Sequence, residues 1–326
     1  MKIIAEVGSN WRDLDDCKKS IVQSRLVGAD AVKFQLFTPG ELYGPQHGYE
    51  ISQYSLPHNW LPILKEKCDQ VGIQFMCSAF SPEGYAEVDP YVATHKVASS
   101  ECCHLRILEK LRELGKPVIL STGAKGKDDI RMALQVLTGT DEYCRIHGLE
   151  LDPVPVTLMY CVVAYPANEV NLDTIKTLRD QFHCDVGYSD HTTDVCNIPR
   201  LAVDKGATVI EKHFTIIPEV STPDQPHSLS PDQFRNMVKS IRGELPAVIG
   251  PTPQERTALL RYNRRLIAIK DLNPGDTLIE GENFGIFRSL KDDTRAAHPF
   301  LVDQFIGKTA KVSLKAGDGL WIEDVE

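Results

Sequence analysis

The sequence predicts an α/β protein: a (β/α)8 barrel over residues 1–250, a linker at 251–265 and a small β-rich domain at 266–326. Three observations predict it. Eight short β-branched or apolar runs alternate with longer helix-like stretches, which is the signature of parallel βαβ units. The runs end in polar residues, as strands do where they reach the mouth of a barrel. After about residue 250 the alternation stops and turn-rich sequence takes over.

The eight runs are KIIAEV (2–7), AVKFQ (31–35), IQFMCS (73–78), HKVAS (95–99), PVILST (117–122), VTLMYC (156–161), DVGYS (185–189) and TVIEKHF (208–214). Between them lie segments such as 13–28 and 105–115, the second ending in Gly115 as helix C-termini often do. Eight such units fit a closed ring better than an open sheet. The stretch 251–265 enters through prolines and reads as a polar linker helix. Beyond it, the segments around Pro274-Gly275-Asp276 and Ala316-Gly317-Asp318-Gly319 are turn chemistry between short strands.

Composition narrows the function classes. The 326 residues are 42% hydrophobic and 25% charged, as in ordinary globular proteins, and net charge is −9. That balance argues against a nucleic-acid or anionic-membrane surface, while leaving room for a local basic pocket. No apolar run reaches 18 residues, so no membrane helix is expected. The first residues, MKIIAEVGSNW, turn polar too soon for a signal peptide. The nine cysteines are scattered without a CxxC pair and read as reduced thiols of a cytoplasmic protein. No GxGxxG or GxxxxGK[ST] loop supports nucleotide binding.

The chemistry is concentrated at the strand ends. Glu6 closes the first run; Lys33 and Gln35, two apart, share a face of the second. Ser78 follows on the third, Lys96 and Ser99 with Glu101 beyond on the fourth, and Ser121 on the fifth. The sixth leads to Tyr165, the seventh ends in Ser189-Asp190-His191, and the eighth holds Glu211, Lys212 and His213. All are expected to ring one mouth. A serine at a strand end is commonly a cap, and a lone histidine commonly structural. Mid-strand lysines are different, because burying an unpaired ammonium costs several kcal/mol. Lys33 and Lys96 therefore need an anionic partner or ligand. Lysines and hydroxyls converging on one mouth suggest a phosphate or carboxylate site, and histidines on adjacent strands suggest a divalent metal.

The order AEVGSN, AVKFQ, FMCSAF, KVASSE, KPVILSTG, YCVVAYP, VGYSDHT, EKHFT resembles the N-acetylneuraminate (sialic acid) synthase family, which includes pseudaminate and legionaminate synthases. The resemblance spans the chain. It implies a TIM barrel followed by an antifreeze-like (SAF) domain, and condensation of phosphoenolpyruvate with an N-acylated sugar aldehyde. It further implies phosphoenolpyruvate ligands at Lys33, Lys96, Ser99, Ser121 and Ser189, a substrate-binding place for Ser78 where the family commonly has Thr, and Mn2+ ligands at His191 and His213. Sugar contacts are implied at Gln35, Glu101, Tyr165 and Asp224, and a carboxylate at the reacting centre at Glu6. Arg288 matches a tail-domain arginine that reaches the partner subunit's site in a domain-swapped homodimer.

The chain departs from the family pattern at Gly8-Ser9-Asn10-Trp11-Arg12-Asp13, at Val163 where the family has Asn, and at Pro223-Asp224-Gln225-Pro226-His227. The segment between Gln35 and Phe75 is also shorter than in many members. Two other readings stay open: a 3-deoxy-aldulosonate synthase acting on an unacylated sugar phosphate, and a catalytically silent sugar-binding barrel.

Overall fold

The computed structural model describes residues 1–43, 53–140, 153–219, 221–243, 264–288 and 295–326. The chain divides into two compact units, Met1–Pro246 and Ala247–Glu326. In the first, eight parallel strands close in sequence order: β1 (Lys2–Glu6), β2 (Ala31–Leu36), β3 (Gln74–Ala79), β4 (His95–Val97), β5 (Val118–Ser121), β6 (Val156–Cys161), β7 (Asp185–Asp190) and β8 (Val209–His213). Every expected strand is present, with ends shifted by one or two residues. The ring closes where β1 pairs with β8, setting Ile4 against Glu211 and Glu6 against His213.

The alternation of side chains along each strand produces two cores. Residues such as Ile3, Ala5, Val32, Phe34, Phe75, Val97, Leu120, Leu158, Tyr188 and Ile210 face the helical layer and join its apolar faces. Their neighbours Ile4, Ala31, Met76, Ile119, Met159 and Val209 form a separate cluster that plugs the barrel interior. With the lower interior filled by apolar side chains, polar residues two further along each strand are held above it, at the C-terminal mouth. At Gly187 a Cβ would stand 2.7 Å from the Val209 carbonyl oxygen, so β7 and β8 approach closely there only without a side chain.

The helices end as local chemistry dictates. Asp13 caps Leu14–Leu26 by accepting from Asp16 N–H, and Gly115 ends Leu105–Leu114 at φ 72°. Ser230 and Gln233 form a capping box on Pro231–Arg242. None of the described helices is long and apolar enough to cross a membrane. The eight described cysteines are all free thiols.

One expectation is corrected here. Lys212 does not face the mouth with Glu211 and His213. It lies one residue out of phase with them and points to the helical layer, where its ammonium sits 2.8 Å from Asp190, both fully buried. Asp190 is likewise on the outer face, holding Tyr188 OH at 3.2 Å and Thr192 N–H at 2.8 Å.

The second unit has its own core of Leu266, Leu272, Leu278, Phe284, Phe305 and Leu320. Its strands β9 (Arg264–Ala268) and β10 (Phe284–Arg288) pair antiparallel, and bridges such as Leu272 with Leu314 and Thr277 with Thr309 tie down the turns. Of the expected linker helix at 251–265, residues 251–263 lie outside the described residues.

Candidate active site

Most residues expected at the mouth line one pocket: Glu6, Lys33, Gln35, Ser78, Lys96, Ser99, Ser121, Tyr165, Ser189, His191, Glu211 and His213, joined by Cys161. Glu101 and Asp224 line an adjoining groove that shares Gln35 and Phe80 with the first. The site is thus a polar floor opening into a wider vestibule. Arg288 is not among these residues; it ends β10 in the second unit.

The floor is an alternating charge lattice. Lys33 Nζ lies 2.6 Å from Glu6 and 3.6 Å from Glu211, and Lys96 Nζ lies 3.6 Å from Glu211. All four side chains are nearly fully buried. Lys96 donates to Ser121 Oγ at 2.8 Å, Ser189 Oγ donates to Glu211 at 2.9 Å, and Gln35 Nε2 donates to Glu6 at 2.7 Å. The two mid-strand lysines therefore have the anionic partners that their burial requires.

The two carboxylates differ in character. Burial pushes Glu6 up to about 7, more than the ammonium of Lys33 draws it down, and Glu211 nearby adds to the rise. For Glu211 burial acts the same way, but Lys33, Lys96 and the Ser189 hydroxyl together hold it down at about 2. The surroundings thus favour the charged form of Glu211 and the neutral form of Glu6. Burial lowers Lys96, with Glu211 opposing. Lys33 is raised because its two carboxylates outweigh the burial.

Glu211 is expected at the mouth without a role of its own, yet it lies within 3.6 Å of both lysines. The signal was available: it stands two residues before His213 on the same strand and so on the same face. Ser99 opens a single helical turn, Ser99–Cys103, instead of ending β4, and its Oγ accepts from Gly123 N–H at 3.0 Å. A Cβ on Gly123 would stand 2.8 Å from that oxygen, which is why the loop after β5 carries glycine there.

Above the floor three imidazoles meet. The rings of His191 and His213 are 5.7 Å apart, and that of His227 is 4.4 Å from His213. Tyr165 packs over His191 at 4.3 Å and His227 at 5.0 Å. His191 Nδ1 is 2.7 Å from the Val162 carbonyl, so that nitrogen donates and Nε2 offers its lone pair, 3.2 Å from Ser189 Oγ. His213 Nδ1 is buried without a hydrogen-bond partner. Burial lowers the pKa of both, His213 well below the ordinary value and further so because His227 and His191 crowd it. Neither binds Asp190 or Glu211 in the manner of a structural histidine. Neutral imidazoles with open lone pairs fit a divalent ion.

The unusual opening segment also finds a place. Ser9 N–H and Oγ donate to Asp224 Oδ2 at 2.7 and 2.8 Å. Asn10 donates to the Phe214 carbonyl and to Ser228 Oγ, and accepts from Thr222. The loop after β1 thereby fixes the loop after β8. These partners are over 200 positions apart, and sequence spacing does not reveal them.

Fold and site together define a closed parallel barrel whose mouth carries a lysine-carboxylate-serine floor with an imidazole cluster above it. The chain belongs to the NeuB family, whose sequence pattern matches residues 20–250. It is similar to pseudaminic acid synthase of Helicobacter pylori, with 30% identity covering 100% of this chain and 98% of that protein. It is also similar to N,N'-diacetyllegionaminic acid synthase of Legionella pneumophila, with 32% identity covering 99% and 94%. Among solved structures it resembles N-acetylneuraminic acid (sialic acid) synthetase of Leptospira borgpetersenii, with a TM-score of 0.66 and 27% identity over 79% of this chain and 89% of that one.

Proposed function

We propose that the protein is a nonulosonate synthase that joins phosphoenolpyruvate to an N-acylated sugar aldehyde, such as N-acetylmannosamine or a 2,4-diacetamido-trideoxyhexose, and releases phosphate. The observation that carries this reading is the pair of buried lysines, 33 and 96, set among serines at the mouth of a NeuB-family barrel. The reaction consumes one water: the enol C3 bonds to the aldehyde carbon, water adds at C2, and the C2–O bond to phosphate breaks.

Lys33 and Lys96 neutralise the phosphate and carboxylate of phosphoenolpyruvate, while Ser78, Ser99, Ser121 and Ser189 orient them. Gln35, Glu101 and Asp224, which line the vestibule, together with Tyr165 over the imidazoles, receive the sugar. Glu6, raised toward neutrality and next to Lys33, holds the proton exchanged with water or hydroxyl near C2. His191 and His213 would hold a divalent ion, Mn2+ in this reading, which when bound supplies Lewis acidity toward an aldehyde oxygen. We further read residues 266–326 as an SAF domain and the enzyme as a cytoplasmic, domain-swapped homodimer.

Incubating the enzyme with phosphoenolpyruvate and a panel of these sugars, read by mass spectrometry, tests the reaction. A product from an N-acylated aldehyde with matching phosphate release is expected. Turnover of unacylated sugar phosphates alone would favour the 3-deoxy-aldulosonate alternative, and no sugar-dependent phosphate release would favour a silent barrel.

Lys96→Ala is expected to weaken phosphoenolpyruvate binding by more than about tenfold, since a charge-assisted contact contributes about 1.5–3 kcal/mol, with little change for the sugar. Calorimetric titration with each substrate separates the two. For the dimer, Arg288→Ala and Lys33→Ala chains, each inactive alone, should regain activity when refolded together. Such mixed dimers pair one intact barrel with one intact tail. Absence of any recovery would rule out a contact in trans.

A further inference from the structure

The imidazole cluster is larger than the two histidines at the ends of β7 and β8. After His213 the chain loops out and returns, with Phe214 bridged to Leu229 and Leu229 N–H bonded to the His213 carbonyl at 2.9 Å. This return sets residues 224–228 beside the strand end. The His227 side chain is 1% exposed, and neither of its ring nitrogens has a hydrogen-bond partner. Leaving a buried polar group unsatisfied ordinarily costs about 1–3 kcal/mol. Asp224 Oδ1 lies 3.9 Å from a ring nitrogen of His213 and 3.9 Å from one of His227. Asp224 cannot swing away, because Ser9 holds its other oxygen. One ligand atom from each of His213, Asp224 and His227 falls within 4.8 Å of the others, the spacing of donors around a single ion. His191 stands beside this group, its ring centroid 5.7 Å from that of His213 and 6.3 Å from that of His227.

We propose that His227 is a third imidazole ligand, and Asp224 a carboxylate ligand, of the ion held by His191 and His213. The inference rests on the reading that those two histidines bind a metal. Its consequence is selectivity. Adding imidazole to a site raises affinity for nitrogen-preferring ions such as Co2+ and Zn2+ more than for the harder, oxygen-preferring Mn2+. This chain therefore favours Co2+ over Mn2+ by a margin that a two-histidine site would not show. Orphaned nitrogens in a buried, tyrosine-covered cluster are accounted for by the same assignment.

The test is binding, independent of turnover. Metal-stripped full-length protein is titrated with Co2+, followed by its visible absorption, and with Mn2+ in competition. The wild type is expected to bind one Co2+, and X-ray absorption fine structure of that complex to count three imidazoles. His227→Ala, checked for folding by circular dichroism, is expected to lose at least about tenfold in Co2+ affinity with an altered Co2+ spectrum, and to lose less for Mn2+. A two-imidazole count in the wild type overturns the proposal even if the variant fails to fold. An unchanged affinity and spectrum in folded His227→Ala does the same, while loss of binding in His191→Ala leaves the two-histidine reading intact. No Co2+ bound by the wild type would instead remove the metal reading beneath it.

Discussion

Turnover is expected to stop when the protein is stripped by a chelator and to return on addition of Mn2+. His191→Ala and His213→Ala should each lower kcat by about 10²–10⁴, because Lewis-acid stabilisation of a developing alkoxide contributes several kcal/mol and each ~1.4 kcal/mol is tenfold in rate. Neither change should unfold the protein. Both side chains face the mouth, and His213 Nδ1 has no hydrogen-bond partner to lose. Phosphoenolpyruvate should still bind both variants, since the lysine and serine floor lies below the histidines. Phosphate release and calorimetric titration together check this. Full activity in a rigorously metal-free preparation, or in either variant, would refute the role.

The second large effect is on stability. Asp190→Ala removes the partner of Lys212 and strands an ammonium that is 0% exposed and 2.8 Å from the lost carboxylate. Breaking a buried pair in this way costs about 3–5 kcal/mol. At roughly 2–4 °C per kcal/mol for a domain of this size, the melting temperature should fall by about 6–20 °C. The double variant Asp190→Asn, Lys212→Met should recover much of the loss, because it removes the charge as well as its partner. Thermal denaturation of the three proteins decides it; a drop of less than about 1 kcal/mol for Asp190→Ala would show that the pair is relieved by water or by the Thr192 carbonyl.

The two predictions turn on the ends of β7 and β8, which the sequence describes only partly. Runs of β-branched residues located β8 to within a residue, and the motif around it carried the family resemblance. What a run of three charged residues does not announce is its phase. Glu211 and His213 share the mouth and Lys212 the opposite face, and only strict alternation separates them. The floor was legible because mid-strand lysines are rare and expensive to bury. The rim was less so. His227 ends the short turn Gln225–His227, and its place beside His213 depends on Ser9 and Asn10, over 200 positions away in sequence, gripping that segment. Such contacts leave no local spacing to read. The expected role of Arg288 depends on a second subunit and is a matter for the mixing experiment.

That grip also governs when the site can exist. Asn10 meets Ser228 across 218 positions, so the contact forms only after β1 and β8 have closed the ring. Loop-closure entropy over such a span is among the last costs met in folding, and contacts of this range slow it. A growing chain on the ribosome holds Glu6, Lys33 and Lys96 early, yet has no rim until residues past 229 have emerged. The complete pocket therefore requires a chain that reaches past β8 and through Leu229.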